Sequence, residues 1–222
     1  MQKKRTILSV LRGTILFTLM AFVLIVIPSA DSRVHASLFM PMPITGAFRH
    51  YPDPKNQDAL PDSVKVIGNG ETVLLRSAVT LGYQIYECQT SKTAPGSFAW
   101  NLQAPFALLE ADDNTNVVHS TGPSWLYTLD GSQIKAKVGE YNNTDRTVIP
   151  ASVTLDASSI PWIRLDVTNH LGSDGLFSRV DHVQRLYTEG GKAPTEECNL
   201  KNKELHAIRE VPYTAEYVFW GS

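Results

Sequence analysis

From Val64 onward the chain alternates apolar and polar positions with a period of two, the spacing that sends successive side chains to opposite faces of a strand. The clearest unit flanks Asp130 and Gly131, residues that suit a tight hairpin. A two-residue loop there predicts that Leu129 faces Ser132, Tyr127 faces Ile134 and Trp125 faces Ala136. One face then collects Trp125, Tyr127, Leu129, Ile134, Ala136 and Val138. The other collects Ser124, Thr128, Gln133, Lys135 and Lys137, with Leu126 as the exception. A slip of one residue would put the lysines under the sheet, so the register is strongly specified.

The same period runs through Ile163, Leu165 and Val167 and through Tyr213, Ala215, Tyr217 and Phe219. Gly172 to Gly175 predict a turn joining the first of these to a long strand from Leu176 to Thr188, a second antiparallel pair. Val64 to Ile67 and Thr72 to Val79 flank Gly68-Asn69-Gly70, a third hairpin signal. Gln84 to Gln89, Phe98 to Leu102, Phe106 to Leu109 and Val117 to Ser120 read as shorter strands, and only Ala151 to Ser159 has room for a turn of helix. The expected fold is all-β, an antiparallel β-sandwich or barrel-like sandwich of about nine or ten short strands, with residues 60–222 as one domain.

The first 36 residues read differently. Lys3, Lys4, Arg5 and Arg12 precede an apolar run from Thr14 to Ile27, and a polar stretch closes on Val34-His35-Ala36. These are the three parts of a secretory signal cleaved after Ala36. An uncut anchor is the alternative, but the apolar run has 14 residues where spanning needs roughly 20. Prolines 41, 43, 52, 54 and 61 then mark residues 37–59 as an irregular arm.

Removing residues 1–36 takes away five basic residues and one acid, so 20 basic and 22 acidic residues become 15 and 21, a net charge of minus six. Such a chain lacks the positive footprint that nucleic acid requires. In an exported chain Cys88 and Cys198 are candidates for a disulfide closing a 110-residue separation, against two free thiols or a nucleophile.

Several phrases recur in a characteristic order: Gly82-Tyr83-Gln84-Ile85-Tyr86-Glu87-Cys88-Gln89, Trp100 with Ala104-Pro105, His119 to Trp125, Asp130-Gly131-Ser132, Pro161-Trp162, Arg185 through Thr188-Glu189-Gly190-Gly191, and Cys198 followed by Tyr213 to Tyr217. Over residues 60–220 this order resembles domain-of-unknown-function family 3455, exported proteins of bacteria and fungi. The resemblance implies a secreted single domain and carries no activity with it. The family tends to be more apolar after its Pro-Trp, where this chain has Ile163-Arg164-Leu165.

No GxSxG, HExxH, paired CxxC, GxxxxGK[ST] or GxGxxG stands in a fitting context, so no cofactor is called for. The histidines lack metal-ligand spacing, and only a pairing made by folding, such as His119 with His182, would hold a metal. Candidate ligand-binding residues are His119, Arg185, Trp100 and Trp162. His119 reads first as a satisfied polar contact, Arg185 as the internal partner of an acid, and Trp125 as core. About six strand residues separate Pro123 from Asp130, roughly 20 Å, so His119 and Asp130 form no dyad. Asn142-Asn143-Thr144 is a glycan acceptor only in a eukaryotic secretory pathway. The expected role is a secreted or cell-envelope binding module for a glycan, cell-wall or other extracellular ligand. The alternative is a secreted enzyme with its site around His119 and Arg185, and a structural envelope protein ranks third.

Overall fold

Alternation of the kind described demands that one face of each strand be buried, and closing the sheet on itself satisfies every strand at once. A computed structural model describes residues 53, 55–66, 70–91, 93–196, 198 and 205–222. Among them are eleven strands: β1 (Thr72–Thr90), β2 (Phe98–Ala111), β3 (Asn116–Ser120), β4 (Ser124–Tyr127), β5 (Ser132–Val138), β6 (Glu140–Asn142), β7 (Val148–Pro150), β8 (Ser152–Val153), β9 (Trp162–Gly172), β10 (Val180–Gly190) and β11 (Ile208–Gly221). Eight of them run in the order β10-β11-β1-β2-β3-β4-β5-β9, and β9 pairs back onto β10 to close an antiparallel barrel. β8 adds to β9 outside the ring, and β6 and β7 form a separate ribbon. The fold is all-β, as the alternation predicts.

The interior is apolar and aromatic. Leu75, Leu109, Trp125, Ile134, Leu165, Tyr217 and Phe219 belong to one buried cluster. One end of the barrel is stoppered by a 3-10 turn, Leu176–Arg179, whose Phe177 stacks on Phe219 at 4.6 Å and leans on Tyr127 at 5.5 Å. The turn is pinned because Leu176 N donates to the Asp130 carboxylate at 2.7 Å and Phe177 N donates to Ser132 Oγ at 3.0 Å. Near β1's middle the chain passes Gly82, where a Cβ would stand 2.6 Å from Val79 Cγ1 and 2.8 Å from Tyr213 O, so only glycine fits.

Four local expectations change. The strand expected from Leu176 begins only at Val180, because Leu176–Arg179 is the 3-10 turn held by Asp130 and Ser132. The Asp130 hairpin pairs Trp125 with Ile134 and Leu126 with Gln133, two residues out of the expected register. The connection is longer because Asp130 serves Ser132 N and Leu176 N, and Gly131 N bonds Tyr127 O. A shift of two keeps every side chain on its face, so Trp125, Tyr127, Ile134 and Ala136 are all buried. Leu129, left in the turn, is 70% exposed and Val138 is 42% exposed.

Val64 to Ile67 form no strand among the described residues. Asp62–Val64 is a 3-10 turn following Pro61, and Ile67, Gly68 and Asn69 lie outside the described residues. Val64 and Val66 are buried instead against Leu186, Val218 and Trp220 on the outer wall, where Gln184 Nε2 donates to Val64 O at 2.6 Å and Trp220 Nε1 to Gln184 Oε1 at 2.7 Å. Ala151 to Ser159 holds β8 and an Asp156 turn in place of helix, since Asp156 accepts from Ser158 N at 2.8 Å and competes with a helical ladder.

Cys88 and Cys198 are joined by a disulfide, with their Cα atoms 5.7 Å apart. Residues 1–52, where the export signal and most of the arm are expected, lie outside the described residues. No helix among the described residues is long and apolar enough to cross a membrane.

Candidate functional site

β3 and β4 turn back at Ser120 and Ser124, while β1 and β2 run on as a pair to Thr90 and Phe98. The upper half of β2 therefore has no β3 beside it. Pro105, with no N–H for a ladder, is tolerated there. This shortfall opens the barrel at the end opposite the Phe177 stopper. A cavity of about 590 Å³ occupies it, rimmed by Leu102 to Pro105 and Thr121 to Pro123. Its inner wall includes Gln84, His119, Trp125, Arg185 and Tyr217.

His119 is 2% exposed and lies flat on Trp125, ring centroids 4.4 Å apart. Its Nδ1 is 2.9 Å from Ser124 O. A carbonyl can only accept, so Nδ1 carries the proton and Nε2 keeps its lone pair in the neutral ring. Burial pushes the imidazole down to about 4, helped by the Arg185 charge and opposed by the bond to Ser124. His119 is thus a neutral acceptor.

Arg185 projects from β10. Its Nη2 donates to Pro161 O at 2.9 Å and its Nε to the same oxygen at 3.3 Å. No acidic side chain pairs with it among the described residues, so the internal ion pair expected from sequence is replaced by the Pro161 carbonyl and the Tyr217 hydroxyl. Tyr217 and Tyr213 meet hydroxyl to hydroxyl at 3.1 Å, and burial raises the pKa of both against the lowering influence of Arg185. Among the described residues no Asp or Glu lines the cavity.

The structure thus brings His119 and Arg185 to one cavity and places the other two candidates elsewhere. Trp100 sits on the β1–β2 overhang, donating to Glu196 O at 3.2 Å with the Arg209 guanidinium 5.0 Å over its ring. Trp162 packs edge-on to Tyr187 at 4.7 Å in the outer cluster. His182 is held apart from His119 by Asp166 at 2.9 Å and Glu71 at 3.2 Å. Among the described residues no group of three or more His, Cys, Asp or Glu side chains is placed to hold a metal. Asn143 is engaged in the β6–β7 turn, accepting from Asp145 N and Thr147 N.

Gln84 escaped the sequence reading. It is 2% exposed, lines the cavity, and its amide nitrogen has no hydrogen-bond partner among the described residues. The signal was present: Gln84 is in phase with Gly82, Tyr86 and Cys88, all buried, so a polar side chain was due inside. Trp125, read as core, is core and cavity wall together, and its indole N–H is likewise unpartnered.

No curated protein and no solved structure matches the chain. One family model does, over residues 108–221, a stretch that runs from the end of β2 through β11 and takes in His119, Trp125, Arg185 and the Phe177 stopper. That is just over half of the 222 residues, and the chain accordingly belongs to the family described as protein of unknown function (DUF3455).

Proposed function

We propose that the protein is exported, loses residues 1–36, and works outside the cytosol as a binding module that takes a small ligand into the open end of its barrel. The observation that carries this is the cavity itself. Eight-stranded barrels have an interior just wide enough for packed side chains or one small ligand, and cavities of 300 to 1,000 Å³ suit drug-sized molecules. A site of about 590 Å³ with an apolar wall and a few polar groups falls in that class. The export signal and the disulfide support the compartment. An apolar cavity of this size favours a compact molecule over an extended glycan chain, which stacks on exposed aromatics.

The enzyme reading draws support from His119 and Arg185 sharing the cavity. It is weaker because a base at about 4 is mostly the wrong strength for proton abstraction near neutral pH, and among the described residues no carboxylate stands by to orient it. Uptake of the neutral dye N-phenyl-1-naphthylamine tests the binding reading. The wild-type protein is expected to take up one equivalent with enhanced fluorescence, and Ala104→Trp, which places bulk at the rim, is expected to abolish it. Absence of saturable uptake, or uptake unaffected by Ala104→Trp, would overturn it.

A further inference from the structure

We propose that the ligand is an apolar molecule bearing a single carboxylate, which is seated on Arg185. This rests on the cavity being a binding site and goes beyond it by naming the chemistry.

The first argument is charge. Among the described residues Arg185 is the one formally charged side chain on the cavity wall, and neither an Asp nor a Glu faces it there. A cation withdrawn from water without a counterion is costly, and nature usually pairs it. Here the protein supplies two neutral acceptors, the Pro161 carbonyl, shared by two of the guanidinium nitrogens, and the Tyr217 hydroxyl. A guanidinium has five N–H donors in a planar fork whose geometry matches a carboxylate. The counterion that the fold omits is the one a ligand would bring.

The second argument is independent of charge. Two further donors on the wall, the Gln84 amide nitrogen and the Trp125 indole N–H, have no partner among the described residues. Buried donors are normally satisfied, and each left open costs stability. A surplus of donors calls for an acceptor-rich group, which an ionised carboxylate is. His119 Nε2 is the converse, an acceptor available to a hydroxyl elsewhere on the guest.

The third argument sets the rest of the molecule. A single cation balances a monoanion, whereas a phosphate dianion would enter a wall made mostly of Leu, Ile, Pro, Val and aromatic side chains with half its charge unmet. The cavity is also far larger than a carboxylate needs, so the remainder must be apolar to gain from burial.

Isothermal titration of the exported protein with two matched pairs, 2-naphthoate with 2-naphthylmethanol and decanoate with decanol, tests this. At least one acid is expected to bind about tenfold or more tighter than its alcohol, the scale of a charge-assisted hydrogen bond. Arg185→Gln is expected to erase the difference, and Arg185→Lys to keep part of it. Because Arg185 also holds Pro161, Gln84→Leu serves as a second variant. It breaks no internal bond of the amide nitrogen, so it is expected to weaken the acids several-fold without lowering the melting temperature. Alcohols binding as tightly as their acids, with Ala104→Trp blocking both, would overturn the carboxylate while leaving the cavity reading intact. If none of the four probes binds, both fall.

Discussion

His119 makes the interior of the barrel sensitive to acid. Burial holds its imidazole at about 4, below the ordinary 6.5 it regains on unfolding. Between those values the unfolded chain binds a proton that the folded chain refuses, so stability falls as pH drops through this window, by up to about 3 kcal/mol. Glu216 runs the other way, because burial raises its carboxyl despite the Arg76 guanidinium 2.6 Å away. Its folded form keeps a proton more readily, which tempers the slope without depending on His119. Urea unfolding at pH 7 and pH 4.5 should therefore show a smaller acid loss in His119→Gln than in wild type. Equal losses in the two proteins would refute the assignment.

At the level of elements, the Leu176–Arg179 turn depends on a carboxylate 46 residues away in sequence. Asp130→Ala removes the acceptor of both Leu176 N and Ser132 N, and should cost about 1–2 kcal/mol while speeding hydrogen exchange at those two amides. The same contact explains what the sequence could and could not convey. Period-two alternation specifies parity, so the buried faces of β4, β5, β9 and β11 were legible from Trp125, Ile134, Leu165 and Tyr217. It does not distinguish registers two apart, and the extra turn residues between β4 and β5 answer to Leu176, a partner that local pattern cannot reveal. Arg185 was legible as an inward polar residue in a strand. Whether an acid faced it depended on β9 lying beside β10 and offering Pro161, which only the closed ring decides.

For the molecule as a whole, the Cys88–Cys198 bond fastens β1, near its outer end, to the segment leading into β11. Crosslinking across 110 residues restricts the unfolded chain, and losing such a bond typically costs 2–5 kcal/mol. The double variant Cys88→Ser, Cys198→Ser should melt several degrees lower than wild type and be indifferent to reductant, whereas wild type should fall to meet it when reduced. An unchanged melting temperature would mean that the ring holds its ends without the crosslink. The barrel is also lopsided: Phe177 stoppers one end and the short β3–β4 hairpin leaves the other open. Were the cavity to take a guest, the one doorway among the described residues would lie at Leu102 to Pro105 and Thr121 to Pro123, and arrival and departure would cross the same threshold. Affinity would then belong to the inner wall and residence time to the rim, and the two could be altered separately.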